Sequence, residues 1–458
     1  MTIWRPSINF DQSARPYYLA ISQAIESDVL AGRLKPGDRL PPHRELAGRL
    51  QVTVATVSRA YAEARKAGWI SGEIGRGTFV LDRKAGRFPK PQEADEDVID
   101  LGLNLPCESP APDLASALRA LAAKEDVQSL LRYNSADPVN DLLAGAAVLR
   151  RHGLNVNPEQ IVMCAGAQHG LSVALEAATR AGDCVIAEEL TYPAFRPLAE
   201  SRSLRIHPVA LDEEGINPAA LNTACRKTRA KALYLVPTLH NPTAHTLSAE
   251  RRKALVEVAR RHDLIIIEDD VYRMLQPEAP PPIAQIAPER TIYVTSLSKS
   301  FVPGLRLGYV VGPPSLHSRL VGAVDNSIWM LPPITAALAT HWVLQGEYDS
   351  IVSGKRREAA ARQSLAARIL PADRLRTANT SYHLWLKTNG NAESFTLRAR
   401  EHGVVVIPGS AFYLGSGRPP EAVRVSLSAA HDRSVLVTAL ERLRSLIEGT
   451  ALKLYPRL

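Results

Sequence analysis

"RTIYVTSLSKSFVPGLRLGYVVG", residues 290–312, sets two β-branched runs around a loop. The loop carries one lysine, Lys299, between serines, then a Pro-Gly turn and Arg306. Runs of this composition read as strands. The lysine loop then follows a strand's carboxyl end, where ligands bind in open α/β sheets. Working outward, the same form recurs in "QIVMCAG" (160–166), "DCVIAEE" (183–189), "KALYLVPT" (231–238) and "LIIIEDD" (264–270). Helical patterns separate these runs. Strands alternating with helices from residue 99 onward predict an α/β fold with a largely parallel sheet.

The polar residues that follow each run converge on one chemistry. After "IVMC" comes "AGAQHGLSVALEAATRAGD", a glycine-bearing loop opening into a helix whose free amides at Ala167 and Gln168 can hold an anion. "LHNPTAHT" (239–246) offers Asn241 in a proline-fixed turn, and "EDDVYR" (268–273) offers Asp269 and Tyr272. Ser296, Ser298, Lys299 and Arg306 complete the set. Pyridoxal phosphate needs such residues. Its aldehyde takes a lysine amine, and its pyridine nitrogen stays protonated beside a buried carboxylate. Its phenolate takes a donor, and its phosphate takes an arginine, hydroxyls and a helix N-terminus. A lysine in such cationic surroundings has a lowered pKa. His240 and His245 lack a third metal ligand and read as solvated loop histidines, so no metal is expected.

At 458 residues the chain should divide into two or three domains. Its net charge of +8 is unevenly placed: residues 1–90 hold 15 Lys+Arg against 8 Asp+Glu, leaving the remainder nearly neutral. A basic module on a neutral body points to a polyanion partner for the module, although a solvated basic surface gives the same balance. No apolar run approaches the ~20 residues that cross a bilayer, and the start has no apolar signal-peptide core. The four cysteines show no CxxC spacing, which fits a reducing compartment. A cytoplasmic protein away from membranes is expected.

The basic module has its own pattern. "PYYLAISQAIESDVLAGRL" spaces Tyr18, Ile21, Ile25 and Val29 as one helical face. "PPHRELAGRL" reads as a second helix with Leu46 and Leu50 inward. Thr53 is an N-cap candidate for "VATVSRAYAEARKAG", in which Val54, Val57, Tyr61 and Ala64 form the expected buried stripe. "WISGEIGRGTFV" reads as two short strands around a glycine-rich tip. Helices followed by a hairpin wing make a winged helix-turn-helix, and small or hydroxylated residues opening the third helix suit close approach to base edges. Arg44, Thr53, Thr56, Ser58, Arg59, and Arg76 with Gly77 at the wing tip are the candidate DNA contacts. The expected domains are 1–81 for this module, a polar, proline-containing linker at 82–98, and 99–458 for the body.

Residues 20–80 resemble the N-terminal domain of GntR-family transcription regulators; Arg44, Thr53, Thr56 and the wing glycines match. Arginines found at the positions of Val54 and Ser58 in other branches are absent here. The segment from about 99 to 448 resembles the fold-type I aminotransferases, most specifically in "SLSKSFVPGLRLGY". That resemblance implies a PLP-dependent transferase fold, with a mostly parallel-sheet large domain and an α+β small domain. It gives Lys299 the Schiff base, Arg306, Ser296 and Ser298 the phosphate, and Asp269 the pyridine nitrogen. Tyr272 and Asn241 become donors to the ring oxygen, Tyr192 the aromatic stacked on the ring, and Arg424 in "VRVSLS" the clamp on a substrate carboxylate. Tyr133 resembles the tyrosine that reaches the partner subunit's phosphate, and Asn104 in "LGLNLP" falls in the mobile substrate loop. Ala244 stands where "NPTG" has glycine.

The two parts together resemble the MocR subfamily of bacterial regulators. The resemblance implies a homodimer arranged head to tail, a double-stranded DNA operator and an amino acid or amine effector bound as an aldimine. Two alternatives stay open: an active aminotransferase with a DNA-tethering head, and a sensor of pyridoxal phosphate itself that regulates cofactor supply.

Overall fold

The computed structural model describes residues 4, 16–30, 33–35, 37–66, 69–73, 77–80, 98–133 and 138–449. The expected linker at 82–98 falls outside these residues except for its last position, as does Arg76. Contacts divide the chain into two units, Met1–Glu93 and Ala94–Leu458.

In the first unit α1 (Tyr17–Leu30), β1 (Arg39–Leu40), α2 (His43–Leu50), α3 (Val54–Lys66), β2 (Ile70–Glu73) and β3 (Gly77–Val80) follow in order. Ile21, Ile25, Leu46, Val57, Tyr61 and Ala64 are fully buried in one core, as their helical spacing requires. Val54 is not: it is 44% exposed. The packed stripe of α3 begins one turn later, and Ala60 takes the remaining buried place. The wing also has a third strand. β1 pairs antiparallel with β3, Arg39 opposite Phe79, and gives the order β1-β3-β2.

The second unit is built on β4 (Ile161–Cys164), α4 (Gly166–Ala178), β5 (Cys184–Glu188), β6 (Arg205–Val209), β7 (Ala232–Leu235), β8 (Ile265–Asp269), β9 (Thr291–Ser296) and β10 (Gly308–Val311). The strands form one sheet in the order β4-β10-β9-β8-β7-β5-β6, parallel except for β10, which is antiparallel to both neighbours. Alternate residues enter different cores. Tyr293, Tyr309 and Val311 join one cluster, while Ile292, Val294 and Val310 join another. A sheet covered on both faces explains why these strands read as continuous apolar runs.

A smaller antiparallel sheet holds β11 (Leu375–Arg376), β12 (His383–Lys387), β13 (Ile407–Pro408) and β14 (Ala422–Ser426), in the order β11-β12-β14-β13. Its core includes Phe395, Val423, Val425, Leu440 and Leu443. The short strand Ile99–Asp100 pairs in parallel with Val404–Val405, so the start of the second unit packs with its C-terminal part. That pairing carries residues 101–107 toward the ends of the large-sheet strands. Among the described residues no helix is long and apolar enough to cross a membrane.

Candidate functional site

Asp269 ends β8 and is nearly buried. Its Oδ2 accepts from the Tyr234 hydroxyl at 2.9 Å, while Oδ1 is buried without a hydrogen-bond partner. Burial pushes its pKa up to about 7; the Tyr234 hydrogen bond opposes the shift, Asp270 adds to it and Lys299 opposes it. Tyr234, stacked on Phe195 with centroids 3.9 Å apart, holds the carboxylate in place.

Lys299 lies in the helical turn Leu297–Ser300 directly after β9. Its Nζ donates to the backbone carbonyl of Asn104, from the segment delivered by the small domain. Burial, then Arg424 and Arg306, lower its pKa to about 8, with Asp269 acting against them. A lysine so placed is partly an uncharged amine near neutral pH, the form that attacks a carbonyl.

Arg306 occupies the left-handed region at φ 49° and donates to Ser298 Oγ at 3.2 Å. Gly166 opens α4 at φ +78°, and a Cβ there would lie 2.7 Å from the Arg306 guanidinium. Glycine thus lets the guanidinium sit against the helix N-terminus, beside the Ala167 and Gln168 amides. Gly308 is equally constrained, since its Cβ would meet Thr295 O at 2.8 Å and Gly166 C at 2.9 Å. Ser296 and Ser298 are buried next to one another, Ser298 N donating to Ser296 Oγ.

Arg424, on β14, is buried. It donates through Nη1 to Asn241 Oδ1 at 2.9 Å and through Nη2 to Gly102 O, and its Nε is unpartnered. Its guanidinium stands over Phe412, 4.9 Å from the ring centroid, and burial lowers its pKa to about 10. Tyr272 is buried and its Oη takes a hydrogen bond from Asn104 Nδ2 at 2.8 Å. Tyr192 has its phenol pKa raised by burial first and then by Asp269 and Tyr272, which puts it in the same cleft.

The unpaired Asp269 oxygen, the Gly166–Arg306 cradle and the uncharged lysine fit the pyridine nitrogen, phosphate and aldehyde of pyridoxal phosphate. Tyr133 is not part of this cluster: it is 81% exposed. His240 and His245 are buried, not solvated, because both imidazoles share the Thr243 hydroxyl, at 2.8 and 2.6 Å. Among the described residues no group of three or more His, Cys, Asp or Glu could hold a metal ion. Three site residues were missed from sequence. Tyr234 carried a readable signal, an aromatic near the end of a neighbouring strand; His383 and Phe412 carried none.

In the first unit Thr53 Oγ1 accepts from Thr56 N at 3.1 Å, an N-cap for α3, and its hydroxyl lies 2.8 Å from that of Thr56. Arg44 is exposed. Ser58 is hydrogen-bonded to His43 Nδ1 at 3.0 Å, and Arg59 lies over the Tyr18 ring at 4.0 Å. Both are engaged within their own unit. Gly77 begins β3.

Residues 96–443 match the family model for aminotransferase class I and II, and residues 17–80 match that for bacterial regulatory proteins of the gntR family. The chain is 30% identical over 449 residues to the uncharacterized HTH-type transcriptional regulator YdeF of Bacillus subtilis, covering 97% of each chain. It is 30% identical to the HTH-type transcriptional regulator TauR of Rhodobacter capsulatus, covering 86% of this chain and 89% of that one. An archaeal alanine:glyoxylate aminotransferase superposes with a TM-score of 0.71 at 23% identity, over 85% of this chain and 99% of that one.

Proposed function

The chain belongs to the aminotransferase class I and II family and carries a gntR-family regulatory domain ahead of it; on that premise, we propose a transcription regulator that binds pyridoxal phosphate at Lys299 and senses an amino acid or amine. This is the layout of the MocR subfamily, and its relatives are named transcriptional regulators. The reading rests above all on Asp269, a buried carboxylate with one unpaired oxygen, facing the electrostatic influence of Lys299.

The cofactor supplies an aldehyde and an electron-withdrawing ring. Lys299 would hold the aldehyde covalently and yield its place to an effector amine. Asp269 would keep the pyridine nitrogen protonated, Tyr192 would cover the ring, and Tyr272 and Asn241 would donate to its oxygen. Arg306, Ser296, Ser298 and the amides of Ala167 and Gln168 would grip the phosphate, with Tyr133 reaching the phosphate of a partner subunit in a head-to-tail homodimer. Arg424 would receive an effector α-carboxylate as a bidentate pair. The domains are taken as 1–81, a linker at 82–98, and 99–458. In a bacterial cytoplasm the first would bind a double-stranded operator through Arg44, Thr53, Thr56, Ser58, Arg59, Arg76 and Gly77. Effector binding alters DNA affinity only if it favours one of two arrangements that hold the heads differently.

The deciding experiment follows the visible absorption of the protein loaded with pyridoxal phosphate, titrated with amino acids and amines. A lasting spectral shift with one compound, accompanied by changed DNA affinity, is the expected result. A shift that decays and is restored by a keto acid makes the chain a working aminotransferase with a DNA-tethering head. DNA affinity that responds to pyridoxal phosphate alone, and to no amino compound, makes it a sensor of the cofactor.

A further inference from the structure

A line of hydrogen bonds runs from the His240 carbonyl to Tyr272, and the chemistry of its members fixes the donor at every step. His383, on β12, is fully buried. Its Nε2 lies 3.0 Å from His240 O, which as a carbonyl only accepts, so Nε2 carries the proton. Burial and Arg424 push this imidazole down to about 3, which leaves it uncharged at neutral pH and Nδ1 a bare acceptor. Asn104 Nδ2 is 3.0 Å from that Nδ1 and 2.8 Å from Tyr272 Oη. A longer contact of 3.4 Å from the Ser381 hydroxyl is also compatible with an acceptor there.

The Asn104 amide is therefore not free to turn over. Its oxygen accepts from Ser426 Oγ at 3.0 Å. Reversed, that oxygen would face the lone pair of Nδ1, and Tyr272 would lose its donor. In the observed orientation both amide hydrogens are used, one on His383 and one on Tyr272. Among the described residues this is the hydrogen bond that Tyr272 Oη makes, and it makes it as acceptor. The phenol keeps its own proton for a partner in the cleft.

We propose that His383 is a positioning residue: by accepting from Asn104 it locks the amide so that Tyr272 is presented as a hydrogen-bond donor to an anionic ring oxygen. The inference rests on the pyridoxal phosphate reading above, whose 3-hydroxyl supplies that oxygen. Neither His383 nor Asn104 is required to touch the cofactor.

The test compares dissociation constants of the full-length protein for pyridoxal 5′-phosphate and for 3-deoxypyridoxal 5′-phosphate, which lacks the oxygen. The unmodified protein should prefer the hydroxylated compound, and Tyr272→Phe should lose most of that preference. His383→Leu should lose it too, by about tenfold, the scale of one hydrogen bond to a charged group. His383→Asn, which can present an amide oxygen in place of Nδ1, should restore it. Asn104→Asp replaces the donor by an acceptor without altering His383 and must show the same loss, so the test survives a misfolded His383→Leu. A preference unchanged in His383→Leu or Asn104→Asp overturns the proposal, as does equal weakening of both compounds, which marks a purely structural role. An unmodified protein that binds neither compound overturns the functional reading and this inference with it. One that binds both, with the preference intact in the variants, overturns this inference alone.

Discussion

A carboxyl group held inside a fold with one oxygen unpaired works against the stability of the chain that carries it. The folded pKa of Asp269 is raised from 3.8 to about 7. Between those values the folded chain binds a proton that the unfolded chain does not, so stability falls as pH rises through this window. The loss approaches 4 kcal/mol above pH 7, on the order of 1.4 kcal/mol per pH unit. Asp269→Asn should therefore raise the melting temperature of the cofactor-free protein at pH 8 and change it little at pH 4, while weakening retention of pyridoxal phosphate. Thermal unfolding at the two pH values checks this, and an equal change at both would show that charge burial is not the cause. Residues of this kind were legible because the chemistry demands a residue type at a strand end: Lys299, Asp269, Asn241 and Arg306 were each found that way. Tyr234 and His383 act through partners distant in sequence, and a strand's period-two pattern says of them only that they are buried.

At the scale of elements, helix α3 joins stability to recognition. Thr53 satisfies a free amide of its first turn, while Thr53, Val54 and Ala55 stand exposed at the end expected to approach DNA. Thr53→Ala should cost about 1 kcal/mol of head stability, the usual worth of such a cap. It should also lower DNA affinity, whereas Thr53→Ser should preserve both. Calorimetry of the full chain and DNA-binding anisotropy read the two effects, and a Thr53→Ala head that melts like the unmodified one would remove the cap from the account. Periodicity found the helices here, but it extended the buried stripe one residue too far, to Val54, because spacing cannot say where a helix outruns the neighbours it packs on. Strand β1 escaped notice because two residues make no pattern, and its partner Phe79 lies far along the chain. The reversed direction of β10 was readable in principle. Leu297–Leu307 is too short for the crossover that a parallel partner needs.

Over the whole molecule, the positive charge is concentrated in residues 1–90 and the cofactor chemistry in the body, so the two functions are separable in sequence. What joins them is thermodynamic, and it has a strict signature. If an effector at the Lys299 site changes operator affinity by some factor, operator DNA must change effector affinity by the same factor. Coupling energies of this kind typically run from about 1 to 3 kcal/mol, or about 5- to 150-fold. Titrating the effector against the visible spectrum, with and without saturating operator, measures one side of this cycle. Titrating operator with and without effector measures the other. Equal factors are expected, at a fixed ionic strength because phosphate contacts make DNA affinity fall steeply with salt. Lys299→Ala should bring the effector-dependent change in DNA affinity to nothing while leaving basal DNA binding intact, since the residue lies in the body and not in the basic head. Effector titrations that superimpose with and without DNA, in a protein that turns over its amino substrate, would instead describe an enzyme carried to its site by a head that takes no instruction from it.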